Sequence, residues 1–96
     1  MKLNQAQIIN ICKLFSIKRL YLVGSVSRGD DSSQSDVDLL VAFNRKGSPL
    51  HQYMDTKFAF ESAFQRKVDL IEENAISNPF FKKSIEEDKV LLYEEK

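Results

Sequence analysis

Two short apolar runs set the frame of this chain. Residues 20–23 (Leu-Tyr-Leu-Val) stop at Gly24, and residues 37–43 carry Val37, Leu39, Val41 and Phe43 in alternation with Asp38, Leu40 and Ala42. The first run, bounded by Lys18-Arg19 and a glycine, reads as a buried central strand. The second has the period-two pattern of a strand, with Asp36 and Asp38 on the face opposite Val37 and Leu39. Between them lies a polar stretch, residues 25–35, with no apolar periodicity. A link this short favours adjacent antiparallel strands. Gly24-Ser25 and Asp36 are therefore expected at the same edge of one sheet.

The remaining pattern supplies helices and further strands. Ile8, Ile11, Cys12 and Phe15 follow helical spacing within residues 4–15, with Asn4 as the N-cap. Cys12 lies on that apolar stripe and is expected to be a small buried hydrophobe, not a reactive thiol. A breaker-rich turn over 44–49 leads into a helix over 50–65. Its stripe is Tyr53, Phe60, Ala63 and Phe64, widened by Met54 and Phe58. Residues 67–71 read as a third strand, Ser77-Asn78-Pro79 as the start of a helix reaching about residue 88, and residues 90–93 as a last strand. Phe58, Phe80 and Phe81 are assigned to the core, with an interface as the alternative. His51 falls at an exposed helix start, and Tyr93 with the Glu94-Glu95-Lys96 tail forms a strand end and a solvated terminus.

Ninety-six residues are expected to form one domain, residues 1–96, with one modest core. Lys plus Arg equals Asp plus Glu at 14 each. This balance argues against a general electrostatic grip on nucleic acid. The longest apolar run, residues 39–43, is far short of the roughly 20 residues of a membrane-spanning helix. The N-terminus has no apolar signal core, and a single Cys suits a reducing, cytoplasmic setting. The charge is nevertheless uneven. Residues 1–48 hold seven basic and four acidic groups, and residues 49–96 hold seven and ten. All four acids of the first half, Asp30, Asp31, Asp36 and Asp38, fall within nine residues.

Those acids carry the chemistry. Glycine allows backbone to approach a phosphate closely, Ser25 adds a hydroxyl and an N–H, and a helix opening after it presents its N-terminus to an anion. Asp36 and Asp38, two apart in a strand, project from one face about 6.6 Å apart. Two carboxylates so placed, with no cation beside them in the sequence, repel each other unless a divalent cation removes the cost. Hard oxygen donors of this kind suit Mg²⁺ or Mn²⁺ completed by water and substrate phosphate. Asp69, polar in an apolar strand, is a further ligand candidate, with a salt-bridged or solvent-facing strand residue as the alternative.

Gly24-Ser25, a ten-residue gap, Asp36-x-Asp38 and a later strand aspartate resemble the signature of the nucleotidyltransferase superfamily shared with DNA polymerase beta. With Arg28-Gly29 and Ser35-Asp36-Val37-Asp38-Leu39-Leu40-Val41, the chain looks like the smallest branch, the minimal nucleotidyltransferases (MNT domains) often encoded beside a HEPN-domain partner. The resemblance extends to Lys67-Val68-Asp69-Leu70 and Asn78-Pro79; Ser27 departs from it, where the family usually has Ala. It implies an α/β (α+β) nucleotidyltransferase fold, a small mixed sheet with helices mainly on one face and the carboxylates on the other. By the same resemblance, Gly24 and Ser25 bind the triphosphate, and Arg28 neutralises phosphate charge, with a salt bridge to a nearby aspartate as its alternative. Ser35 adds a phosphate or supporting hydrogen bond. Asp36 and Asp38 hold two Mg²⁺ ions, and Asp69 binds the catalytic metal and orients or deprotonates the attacking hydroxyl.

The implied activity is Mg²⁺-dependent transfer of AMP from ATP to a hydroxyl, a tyrosine of a HEPN toxin, with this chain as antitoxin. It implies a hetero-oligomer with that toxin and no direct nucleic-acid or membrane partner. Two other readings stand beside it: a non-catalytic binding module that neutralises its partner by contact, and nucleotidyl transfer to a small molecule. The second is weakened because relatives of that kind carry an additional acceptor domain.

Overall fold

The computed structural model describes residues 3–24, 36–45 and 47–95. Within them the chain runs α1 (Gln5–Leu14), β1 (Ile17–Val23), β2 (Val37–Phe43), α2 (Pro49–Phe64), β3 (Val68–Glu72), a short 3₁₀ turn (Glu73–Ala75), α3 (Pro79–Asp88) and β4 (Val90–Glu94). The strands form one four-stranded sheet in the order β3-β2-β1-β4. β1 pairs antiparallel with both β2 and β4, whereas β2 and β3 are parallel. The sheet is thus mixed, as the family resemblance implies, and β2 occupies the span read from its alternation.

Helix boundaries follow local chemistry. The Asn4 side chain accepts from the Gln7 N–H at 3.1 Å, satisfying one orphan donor of α1. Ser48 caps α2 by accepting from the His51 N–H, ahead of Pro49 in the first turn. Asn78 caps α3 by accepting from Phe80 and Phe81 N–H groups at 2.9 and 3.2 Å. His51 is exposed at the start of α2, as its position implied.

α1 and α2 pack on one face of the sheet. Ile8, Cys12, Ile17, Leu20, Leu22, Leu39, Val41, Phe60 and Leu70 are among the residues that form the main core there. Burial of Cys12 pushes its thiol pKa up to about 12, so it behaves as the inert hydrophobe expected. The expected aromatic stripe of α2 packs inward, with Phe60 in the core and half-buried Tyr53 and Phe64 against it, but Gln52 and Thr56 are buried as well and Phe58 is 56% exposed. Two polar residues hold core positions with their donors used. Gln52 Nε2 donates to the carbonyls of Phe15 and Asn44, both at 2.9 Å, and Thr56 Oγ1 donates to the Gln52 carbonyl at 2.7 Å.

α2 also closes the outer edge of β3. The Glu61 carboxylate accepts from the Val68 N–H at 3.0 Å, and the Tyr53 hydroxyl donates to the Leu70 carbonyl at 2.6 Å. An edge strand covered in this way is protected from pairing with another chain.

α3 lies on the opposite face, where Ile85 packs with Val23 and Leu40 against half-buried Tyr21, Ile71 and Ile76. This patch is small, and Ile85 is the one buried residue of α3. Phe80 and Phe81 are 84% and 47% exposed. The core assignment of Phe58, Phe80 and Phe81 is therefore corrected. Their helices have too few inward positions, and Ile85 and Phe60 take them. Lys18 and Arg19, read as flanks, lie inside β1, because the strand is paired on both sides and Ile17 anchors its start in the core. Among the described residues, no helix is long and apolar enough to cross a membrane.

Candidate active site

Three residues meet where β1, β2 and β3 share one end of the sheet. Val23 pairs with Asp38 across β1 and β2, and Asp38 pairs with Asp69 across β2 and β3. Gly24 follows at the end of β1 with φ +75°, a conformation that L side chains rarely adopt. A Cβ at Gly24 would overlap Asp38 Oδ2 and lie 3.1 Å from its Cγ. Glycine is thus required twice, by the backbone angle and by the adjoining carboxylate. The short polar link does make β1 and β2 antiparallel neighbours, which brings Gly24 and Asp38 to one edge.

Asp38 is half-buried, while Asp36, just before β2, and Asp69 are exposed. Asp69 projects from the face opposite Val68 and Leu70, which are buried in the main core. Its negative charge is felt by Tyr53. The pKa of that phenol is raised, first by burial and then by the charges of Asp69 and Glu72. Ser25, Arg28 and Ser35 lie outside the described residues, as does the helix expected after Ser25.

Asp38 and Asp69 supply hard oxygen donors of the type that divalent cations take. Among the described residues, no three His, Cys, Asp or Glu side chains are grouped closely enough to hold an ion by themselves. This donor set fits Mg²⁺, which is usually bound through one or two carboxylates with water and substrate phosphates making up the rest.

The same end of the sheet opens into a cleft of about 220 Å³. Val23, Gly24, Asp38, Asp69 and Ile71 form its floor, and Phe81, Ser84, Ile85 and Asp88 of α3 form its wall. The α3 residues were not singled out from the sequence, although 81, 84, 85 and 88 follow the i, i+3, i+4, i+7 spacing of one helix face. A larger cleft of about 330 Å³ lies at the other end of that sheet face. It contains the Arg19–Glu73 and Arg45–Glu72 ion pairs, at 3.2 and 2.6 Å, and none of the predicted site residues. The smaller cleft holds the glycine and two of the carboxylates that the sequence singled out.

Comparison with known proteins agrees with this geometry. The family profile described as "Nucleotidyltransferase domain" matches residues 6–92. A relative from Methanocaldococcus jannaschii, named as a candidate protein adenylyltransferase, is 39% identical over 80 residues, covering 82% of this chain and 78% of its own length. A solved structure described as a candidate minimal nucleotidyltransferase is 28% identical, with a TM-score of 0.75, over 90% of this chain and 86% of its own. The fold is also that of a chain in a toxin–antitoxin crystal structure with AMP-PNP, at TM-score 0.78 and 22% identity over 98% of this chain and 76% of that one. A chain in the complex of a tri-AMPylated Shewanella oneidensis HEPN toxin with its MNT antitoxin matches at TM-score 0.67 and 18% identity, over 95% and 70%. From strand register to family profile the observations converge: this chain is a nucleotidyltransferase and belongs to the nucleotidyltransferase domain family.

Proposed function

We propose that the protein transfers AMP from ATP to a hydroxyl, a tyrosine of a HEPN-domain partner, and acts as the antitoxin of that partner in the cytoplasm. The observation that carries this reading is the register placing Asp38 between Gly24 and Asp69 on the floor of one cleft. The AMP-PNP and AMPylated-toxin complexes of proteins with the same fold support the choice of nucleotide and partner.

In this proposal Gly24 and Ser25 cradle the triphosphate through closely approaching backbone, and Arg28 and Ser35 add charge and hydrogen bonds to it. Asp36, Asp38 and Asp69, completed by water and substrate phosphate, would hold Mg²⁺, which would supply charge neutralisation for the phosphates. Asp69 orients the acceptor hydroxyl and accepts its proton. The acceptor oxygen attacks the α-phosphorus in line as the α–β bond breaks and pyrophosphate leaves. Such chemistry rests on positioning and electrostatics, which three carboxylates and a phosphate cradle can supply.

Incubation with α-labelled ATP, Mg²⁺ and the product of the neighbouring gene tests it. Label is expected on the partner and is expected to vanish with Asp38→Asn. Absence of label with the unaltered protein would sink the proposal. The exposed apolar side chains Phe80, Val90 and Leu91 favour a second contribution, neutralisation by contact. Full suppression of the partner in cells by an Asp36→Ala/Asp38→Ala variant would make contact sufficient.

A further inference from the structure

Chain order forces α3 to cross the sheet. β3 and β4 are the two edge strands, and α3 leads from one to the other. Its first turn therefore starts on the β3 side, and its last turn arrives on the side of β1 and β4. The cleft floor runs in the same order, from Asp69 on β3 through Asp38 on β2 to Gly24 after β1. Wall and floor are thus aligned. All line one cleft, and chain order puts Phe81, in the first turn, toward Asp69 and Ile71, and Asp88, in the last, toward Gly24 and Val23.

We propose that Phe81 is a specificity-determining residue for the acceptor, seating a planar aromatic ring that carries the attacking hydroxyl. This inference rests on the functional reading above, in which Gly24 marks the phosphate side and Asp69 the acceptor side. Phe81 lines the cleft yet remains 47% exposed, leaving ring surface available to a bound group. Ile71 and Ile85 extend that apolar surface beside Asp69. A phenol laid against Phe81 gains ring–ring contact beyond simple burial and keeps its polar atom at the carboxylate end. The phenolic oxygen then bonds to the α-phosphorus, its proton passes to Asp69 and pyrophosphate departs. An aliphatic alcohol reaches the same carboxylate but leaves the Phe81 wall uncovered.

Steady-state transfer from ATP to the HEPN protein, assayed with its acceptor tyrosine intact and replaced by serine, separates the alternatives. Phe81→Ala is expected to raise the KM for the partner by roughly tenfold, to leave the KM for ATP unchanged, and to shrink the preference for tyrosine over serine. Phe81→Tyr should restore that preference, and Phe81→Leu should fail to restore it while keeping apolar volume for folding. Phe58→Ala, which removes a somewhat more exposed ring from α2, should change neither constant. An unaltered partner KM in Phe81→Ala overturns the inference, as does a rise confined to the KM for ATP, which would assign the ring to the nucleotide base. No transfer by the unaltered protein overturns the nucleotidyl-transfer reading itself and this inference with it.

Discussion

Gly24 and Asp38 touch so closely that neither position is independent of the other. The glycine holds φ +75°, and the place where a Cβ would stand is taken by the aspartate carboxylate. Gly24→Ala combines left-handed backbone strain of about 1–2 kcal/mol with displacement of Asp38. A fall in melting temperature of roughly 4–8 °C per kcal/mol is expected for a domain of this size. Transfer activity should fall much further than stability. Thermal unfolding read beside labelled transfer checks this, and a stable, fully active variant would contradict it.

Asp38→Asn and Asp69→Asn keep shape while removing charge from the cleft floor. Each should reduce transfer by a hundredfold or more, an effect on the order expected when a group stabilising transition-state charge is lost. Chelation of divalent cations by EDTA should abolish transfer by the unaltered protein and be reversed by added Mg²⁺. Circular dichroism should remain that of the parent, since both side chains stand outside the main core.

Tyr53→Phe deletes one hydrogen bond, from the hydroxyl to the Leu70 carbonyl. A loss of about 1 kcal/mol in urea unfolding is expected. The pH dependence has a definite sign. The folded-state pKa of Tyr53 is raised, so the folded protein retains the phenol proton longer than the unfolded chain. The associated stability is present below the unfolded value of about 10 and is lost as pH rises through the folded one. Tyr53→Phe should therefore lose stability less steeply than the parent above about pH 10. Parallel slopes would count against this account.

Cys12 is fully buried, and its thiol pKa is pushed up to about 12. In native buffer near pH 8 a disulfide reagent should label it negligibly, and labelling should become complete once the chain is unfolded. Prompt native labelling would show that the α1 face opens far more readily than its packing implies.

Much of this architecture was legible because it is written locally. The span of β2 follows from its alternation, and the starts of α1 and α3 follow from Asn4 and from Asn78-Pro79. The shortness of the link also places Gly24 and Asp36 at one sheet edge, but that the glycine packs against Asp38 emerges only from the strand register. What stayed hidden depends on tertiary placement. Gln52 and Thr56 look like surface residues until the carbonyls of Phe15, Asn44 and Gln52 are brought within hydrogen-bonding distance. Phe80 and Phe81 look like core until α3 is seen to rest on Ile85 alone among its own side chains. The α3 wall was invisible for the same reason: nothing in its spacing says which sheet face, or which end of it, the helix will cross.

The parallel pairing of β2 with β3 has a consequence for the timing of activity. Asp38 and Asp69 become neighbours only after the intervening helix α2 has folded back along the sheet. A nascent chain that has emerged through β2 carries Gly24, Asp36 and Asp38 but lacks Asp69. In the proposed mechanism chemistry is thereby withheld until the crossover closes, and the finished fold is its own licence to react.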